Sequence, residues 1–174
     1  MTERLPGMEN LVTPGRFATI SPCGRYRYDL GRHWGPGPSR ALWCMLNPST
    51  ADDTLDDQTV GRVTSYTKRE GLDGFVIVNL FAWRSPNPHE LAAVDDPVGP
   101  DNPATIQQWL ASATVDLVIV AWGAGVHHAR QARLPVLLWA AAAGHQVHCL
   151  GRTAAGEPRH PSRLSEKTPL EVYP

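Results

Sequence analysis

Four short apolar runs punctuate the chain: 41–46 (ALWCML), 75–79 (FVIVN), 117–122 (LVIVAW) and 145–150 (HQVHCL). They are continuous rather than alternating, which is how strands covered on both faces read. Between them the apolar positions fall at helical spacing. Val60, Val63 and Tyr66 recur every third residue, and Ile106, Trp109, Leu110 and Ala113 trace one stripe. Residues 126–143 are alanine-rich, with Pro135 marking an expected break. Strands alternating with helices predict right-handed crossovers and a parallel sheet. The expected fold is α/β, a three-layer αβα sandwich around a central, mainly parallel four-stranded sheet.

Ahead of that core, residues 16–34 contain two alternating stretches around Ser21-Pro22-Cys23-Gly24, which predict an antiparallel hairpin decorating the sheet edge. The Gly/Pro-rich link Gly35-Pro36-Gly37-Pro38-Ser39 separates it from a core expected over 40–165. Residues 1–174 read as a single domain without internal repeats.

Composition narrows the class. With 174 residues, 42% of them hydrophobic, the chain can bury a core without disulfide or metal staples. The cysteines, Cys23, Cys44 and Cys149, are scattered and odd in number, with no CxxC spacing. They point to a reducing compartment, and Cys44 and Cys149 inside apolar runs read as packing groups. The opening MTERLPGMENLV lacks the apolar core of a secretion signal, and no run approaches the roughly 18–20 residues a membrane span needs. A cytoplasmic protein without membrane contact is expected. The net charge of −1 gives no long-range pull on polyanions, so nucleic-acid binding has to come from a local patch.

In parallel sheets the ligand sits outside the carboxyl ends of the strands, so the residues after each run carry the candidate chemistry. After the first come Asn47-Pro48-Ser49-Thr50. Pro48 holds Asn47 extended, where its amide can orient a water or a ring edge; the same residues also suit a plain turn, with Thr50 or Asp52 capping the next helix. Asn79 closes the second run with a donor and an acceptor side by side, as a nucleobase edge requires, and Phe81 or Trp83 could stack on the ring. Arg84 follows. Strand-end asparagines and aromatics serve equally as turn formers and core. Trp122 and Gly123 end the third run and join the substrate-facing set.

The last run leads through Gly151 and Arg152 to His160-Pro161-Ser162-Arg163-Leu164-Ser165. A histidine among Arg152, Arg159 and Lys167 could donate to developing negative charge while serines and arginines hold phosphates; a solvated loop is the other reading. Asp52, Asp53, Asp56 and Asp57 crowd one segment, which suits a general base or magnesium, though helix starts favour aspartate for their dipole alone. His127 and His128 are adjacent and diverge on a helix, against a shared metal. Trp34, Trp43 and Trp139 suit either a partner surface or core packing.

Taken together, LNPST after the first strand, VN closing the second and HPSRLS after the last resemble the ordered motifs of the uracil-DNA glycosylase superfamily. MLNPSTADDTLDDQTV, VNLFAWRSPNP, DPVGPDN and GEPRHPSRLS also resemble a bacterial and phage family, domain of unknown function 1643, over about residues 40–165. The glycosylase resemblance implies a flipped-out base. It implies Asn47 as the water-positioning group, with Pro48 and Ser49 beside it, Asn79 as reader of the base and His160 as the group facing the departing base. It further implies Ser162 as a phosphate contact and Leu164 as a wedge into DNA; beside these, Arg84, Arg152, Arg159, Arg163 and Ser165 are candidate DNA contacts read from their own chemistry. Because Asn47 stands where some members carry aspartate, a water-positioning rather than base-abstracting role is expected there, unless Asp52, Asp56 or Asp57 folds back to act as base, Asp52 first.

Leu46 replaces the superfamily's usual glycine, Ser49 follows Pro48, and Arg163 replaces a proline, so the resemblance does not name the base removed. The expected activity is a cofactor-free DNA glycosylase of a modified or damaged base, with DNA as partner and no obligate protein partner. A nucleoside or nucleotide hydrolase, and a non-catalytic nucleic-acid or nucleotide module, stand beside it.

Overall fold

The computed structural model describes residues 15–124 and 129–174. In chain order its elements are β1 (Gly15–Ile20), β2 (Arg27–His33), β3 (Arg40–Met45), α1 (Gln58–Arg69), β4 (Gly74–Asn79), α2 (Asn102–Leu110), β5 (Val115–Val120), α3 (Ala129–Ala142), β6 (Val147–Cys149) and β7 (Glu171–Val172), with short 3-10 helices at Pro88–Ala93 and Pro161–Arg163. The strands form one sheet in the order β1-β2-β4-β3-β5-β6-β7. Strands β4, β3, β5 and β6 pair in parallel, β1 and β2 add antiparallel strands on one side, and β7 adds one on the other.

The alternation of side chains explains the layering. Leu42, Cys44, Val76, Val78, Val118 and Val120 face α2 and α3 and cluster with Ile106, Trp109, Leu110, Val136 and Ala140. Ala41, Trp43, Met45, Phe75, Ile77 and Ile119 face the other way and cluster with Val60, Val63 and Tyr66 of α1. Central strands therefore bury both faces, which is why their sequences run apolar without a break. Cys44 and Cys149 are buried free thiols, and burial pushes the Cys44 thiol up to about 12.

The sheet is seven-stranded and mixed rather than four-stranded, and the N-terminal antiparallel hairpin forms at its edge but as an integral part of it. Strand β2 pairs with β4 and is buried along its whole length, including Arg27, Asp29, Arg32 and His33. Two of its polar side chains, Asp29 and Arg32, have found internal side-chain partners, as burial demands. Asp29 Oδ2 accepts from Trp109 Nε1 at 2.9 Å, and Arg32 donates from Nε and Nη2 to Asp56 at 3.0 and 2.8 Å.

Pro135 does not break its helix: α3 continues through it from Ala129 to Ala142. The ring lies on the exposed side, while Val136 and Ala140 anchor the same segment in the core, and this packing outweighs the lost hydrogen bond. The tryptophans settle as packing groups. Trp43 is fully buried with its Nε1 donating to Thr67 Oγ1, and Trp34 and Trp139 are half-buried against the two clusters. Among the described residues no helix is long and apolar enough to cross a membrane. The opening dodecapeptide, Gly125, His127 and His128 lie outside the described residues.

Buried histidines make stability depend on pH. Burial, and then the nearby Arg40 cation, hold His33 below the ordinary histidine value of 6.5, and burial does the same to His160. A group with a depressed folded-state value takes its proton more readily when unfolded, so stability is present above about 6.5 and is lost as pH falls below it. The melting temperature is expected to decline from pH 7.5 to pH 5. A flat profile, checked with a His33→Gln variant, would contradict that burial.

Candidate active site

Strand β3 hands the chain to α1 on one face of the sheet, and β5 hands it to α3 on the other. Their carboxyl ends therefore diverge and leave a crevice between them, the place where open α/β sheets bind ligands. A cleft of about 740 Å³ occupies this position, a size that fits ligands up to a nucleotide. Met45, Ile77 and Val60 give it an apolar floor, and Asn47, Ser49, Asn79, Trp122, Gly123, Arg159, His160, Ser162, Arg163 and Leu164 line it. Residues distant in sequence but placed at successive strand ends have come together.

Each group is positioned by identifiable contacts. Asn47 donates from Nδ2 to the carbonyls of Ser85 at 2.8 Å and Pro48 at 3.1 Å. Its donor end is thus committed to the loop, and its Oδ1 is the end left to accept from a water. Asn79 is 1% exposed, and its amide nitrogen has no acceptor among the described residues. The end of β4 is held by Asn102, whose Nδ2 donates to the Asn79 and Leu80 carbonyls at 2.9 and 3.3 Å. Removing the Asn102 amide strands two buried carbonyls, so Asn102→Ala is expected to cost about 1–3 kcal/mol by urea denaturation; an unchanged midpoint would show that these bonds do not hold the strand end.

His160 caps the 3-10 helix Pro161–Arg163. Its Nδ1 accepts the Ser162 N–H at 3.3 Å and lies 2.9 Å from Ser162 Oγ. Because Nδ1 accepts, the ring proton sits on Nε2. Burial holds the ring below its ordinary value, opposed in part by the Asp57 carboxylate, so near neutral pH the group is a neutral imidazole with one N–H to donate. Gly123 supports it: at φ +77° it adopts a backbone that favours glycine, and a Cβ there would stand 3.4 Å from the His160 Cβ. Trp122 is buried, with Nε1 donating to Glu157 at 2.8 Å.

Several expected members stand elsewhere. Asp52 does not line the cleft. Its Oδ1 is taken by the N–H groups of Leu55 and Thr54 and by the Thr54 hydroxyl, and these bonds hold the carboxylate down to about 2, too weak a base to take a proton near neutrality. Asp56 is consumed by Arg32 and Arg16. Asp57 is the aspartate that enters the cleft, and it also caps α1 by accepting the Val60 N–H at 2.9 Å.

Phe81 is buried in the core, and Trp83 packs edge-on against Tyr26, so neither faces the cleft as a stacking platform. Pro48 is buried, its carbonyl accepting from Ser85 N–H and Asn47. Arg84 donates to the Gly24 carbonyl, Arg152 pairs with Glu171, and Ser165 accepts from Lys167 N–H; all three lie off the cleft lining. Leu164 reaches the cleft but is half-buried against the α1-side core rather than free as a wedge. Among the described residues no group of three or more His, Cys, Asp or Glu is placed to hold a metal ion.

Residues 27–162 match the family described as Protein of unknown function (DUF1643). The chain belongs to this family. No curated protein and no solved structure matches it significantly. The DUF1643 match begins at Arg27 and closes at Ser162, so it takes in the whole span from the first cleft residue of β2 to the His160 cap.

One charged cleft residue carried no signal in the sequence as a site residue. Arg27 opens β2, is 4% exposed, and lines the cleft with Ile77 and Asn79. The register between β1 and β2 slips there: Thr19 faces Asp29, Ile20 faces Arg27, and Tyr28 is supernumerary. Asp29 points to Trp109 of α2, and simple alternation would send Arg27 to that side; the bulge turns it to the cleft, a known use of bulges beside binding sites.

Proposed function

We propose that this chain is a hydrolase of the DNA-glycosylase type, breaking the N-glycosidic bond of a base flipped out of DNA. The observation that carries the reading is the meeting of Asn47, Asn79 and His160, from three distant segments, in one cleft at the ends of parallel strands. The four central parallel strands support a glycosylase-like core within the wider sheet.

The chemistry follows from the groups present. The oxygen of a water held by Asn47 Oδ1 bonds to the anomeric carbon as the carbon–nitrogen bond breaks. The base leaves with that electron pair, and the water's proton passes to the Asp57 carboxylate. Positive charge gathers on the sugar, where Asp57 stabilises it, and negative charge gathers on the base, where His160 Nε2–H donates to its oxygen. Asn79 reads the base edge. Arg159, Arg163 and Ser162 at the rim supply backbone contacts that offset the few kcal/mol of unstacking.

Abasic-site formation on duplex and single-stranded oligonucleotides carrying uracil, other deaminated bases and phage-type modified cytosines tests this, with His160→Ala as control. Alkali-labile sites formed by the wild type and lost in the variant are expected. Silence across the panel would overturn the DNA reading in favour of hydrolysis of a free nucleotide, which a cleft of about 740 Å³ could hold. Salt distinguishes the two. Arg163→Gln is expected to weaken duplex binding for all sequences alike and to reduce the salt slope by about 1, whereas binding insensitive to salt would point to the free nucleotide.

A further inference from the structure

Arg27 is an unusual group to find at the buried end of a binding cleft. Its Nη1 donates to the Ala51 carbonyl, while Nε, fully buried, has no acceptor among the described residues. Burial lowers its proton affinity to about 10, which leaves it cationic near neutral pH. Asp57 acts on it through space, yet no hydrogen bond or ion pair joins the two side chains, and Asp57 Oδ1 is engaged by Val60. A cation taken this far from water is costly unless it is paired. The neighbouring Asn79 Nδ2 is a second buried donor without an acceptor, and His160 Nε2–H is a third donor lining the same cleft. The deep wall is thus rich in unclaimed donors and carries a positive charge, the complement of an oxyanion.

We infer that Arg27 seats an anionic oxygen of the ligand, a carboxylate on the base or a phosphate, at the buried end of the cleft beside Asn79. The inference deepens the proposed function and rests on Asn79 as the reader of the base. DNA phosphates stay at the rim with Arg159 and Arg163, both exposed, so the depth of Arg27 favours a substituent on the base itself.

Calorimetric titration of the full chain with thymine, 5-carboxyuracil, uridine, uridine monophosphate and inorganic phosphate tests this, using wild type, Arg27→Gln and Arg27→Lys. A charge-assisted fork predicts that 5-carboxyuracil binds about tenfold or more tighter than thymine. That ratio should collapse in Arg27→Gln and recover only in part in Arg27→Lys. A preference for the monophosphate over uridine, with inorganic phosphate also bound and both lost in Arg27→Gln, would support the seat with phosphate as its source. Equal affinities within each pair in the wild type would overturn the inference even where Arg27→Gln fails to fold, and would leave the glycosylase reading standing. An oxyanion preference that survives in Arg27→Gln also overturns it, as does a folded wild type that binds none of the probes. Conversely, an Arg27-dependent preference together with a silent oligonucleotide panel would sink the DNA reading and keep the oxyanion seat.

Discussion

A His160→Ala variant is expected to lose about 10²–10⁴-fold in the single-turnover rate of base release, the usual contribution of a positioned proton donor. The reason lies in the local geometry. Ser162 N–H fixes Nδ1 as an acceptor, so the Nε2–H is the donor available to the leaving base. His160→Gln keeps a donor of similar reach and should recover part of the loss. Binding of substrate oligonucleotide should change less than the rate, because the interaction strengthens as charge develops. A variant as fast as the wild type would place the chemistry away from His160 and leave the cleft as a binding site.

The largest stability effect is expected at Trp43. Its ring is fully buried between the sheet and α1, tilted against Tyr66 with centroids 6.0 Å apart, and its Nε1 donates to Thr67 Oγ1 at 3.1 Å. Trp43→Ala therefore removes a large ring, opens a cavity and strands a buried hydroxyl, for a cost of about 3–5 kcal/mol. Against a total stability of about 5–15 kcal/mol for a domain, the variant should melt far below the wild type or fail to accumulate. Urea denaturation measures it. A loss under about 1 kcal/mol would mean that this layer is not the tightly packed one described.

The central strands were legible because burial on both faces writes a continuous apolar run, and the ends of two such runs point to Asn47 and Asn79, whereas His160 stands well past β6 and is marked by the HPSRLS resemblance. Strand β2 was not legible as an inner strand because its partners lie far off in sequence: Arg32 meets Asp56 and Asp29 meets Trp109, separations of 24 and 80 residues. The same distance hid the choice among the aspartates. Arg16 and Arg32 pin Asp56, the Asx turn consumes Asp52, and only the resulting path of the loop delivers Asp57 to the cleft. Phe81 and Trp83 misled because aromatic residues after a strand look alike whether they face a ligand or fill the core.

The bulge at Tyr28 makes the hairpin count its residues. An extra residue in the turn between Ser21 and Tyr26 lengthens an exposed loop and leaves every pairing downstream unchanged. Deleting one residue at the bulge would let the ladder close neatly and rotate Arg27 to the α2 side, healing the strand while disarming the cleft. Tolerance to insertions and deletions in this hairpin should therefore be lopsided, permissive at its tip and strict at its root.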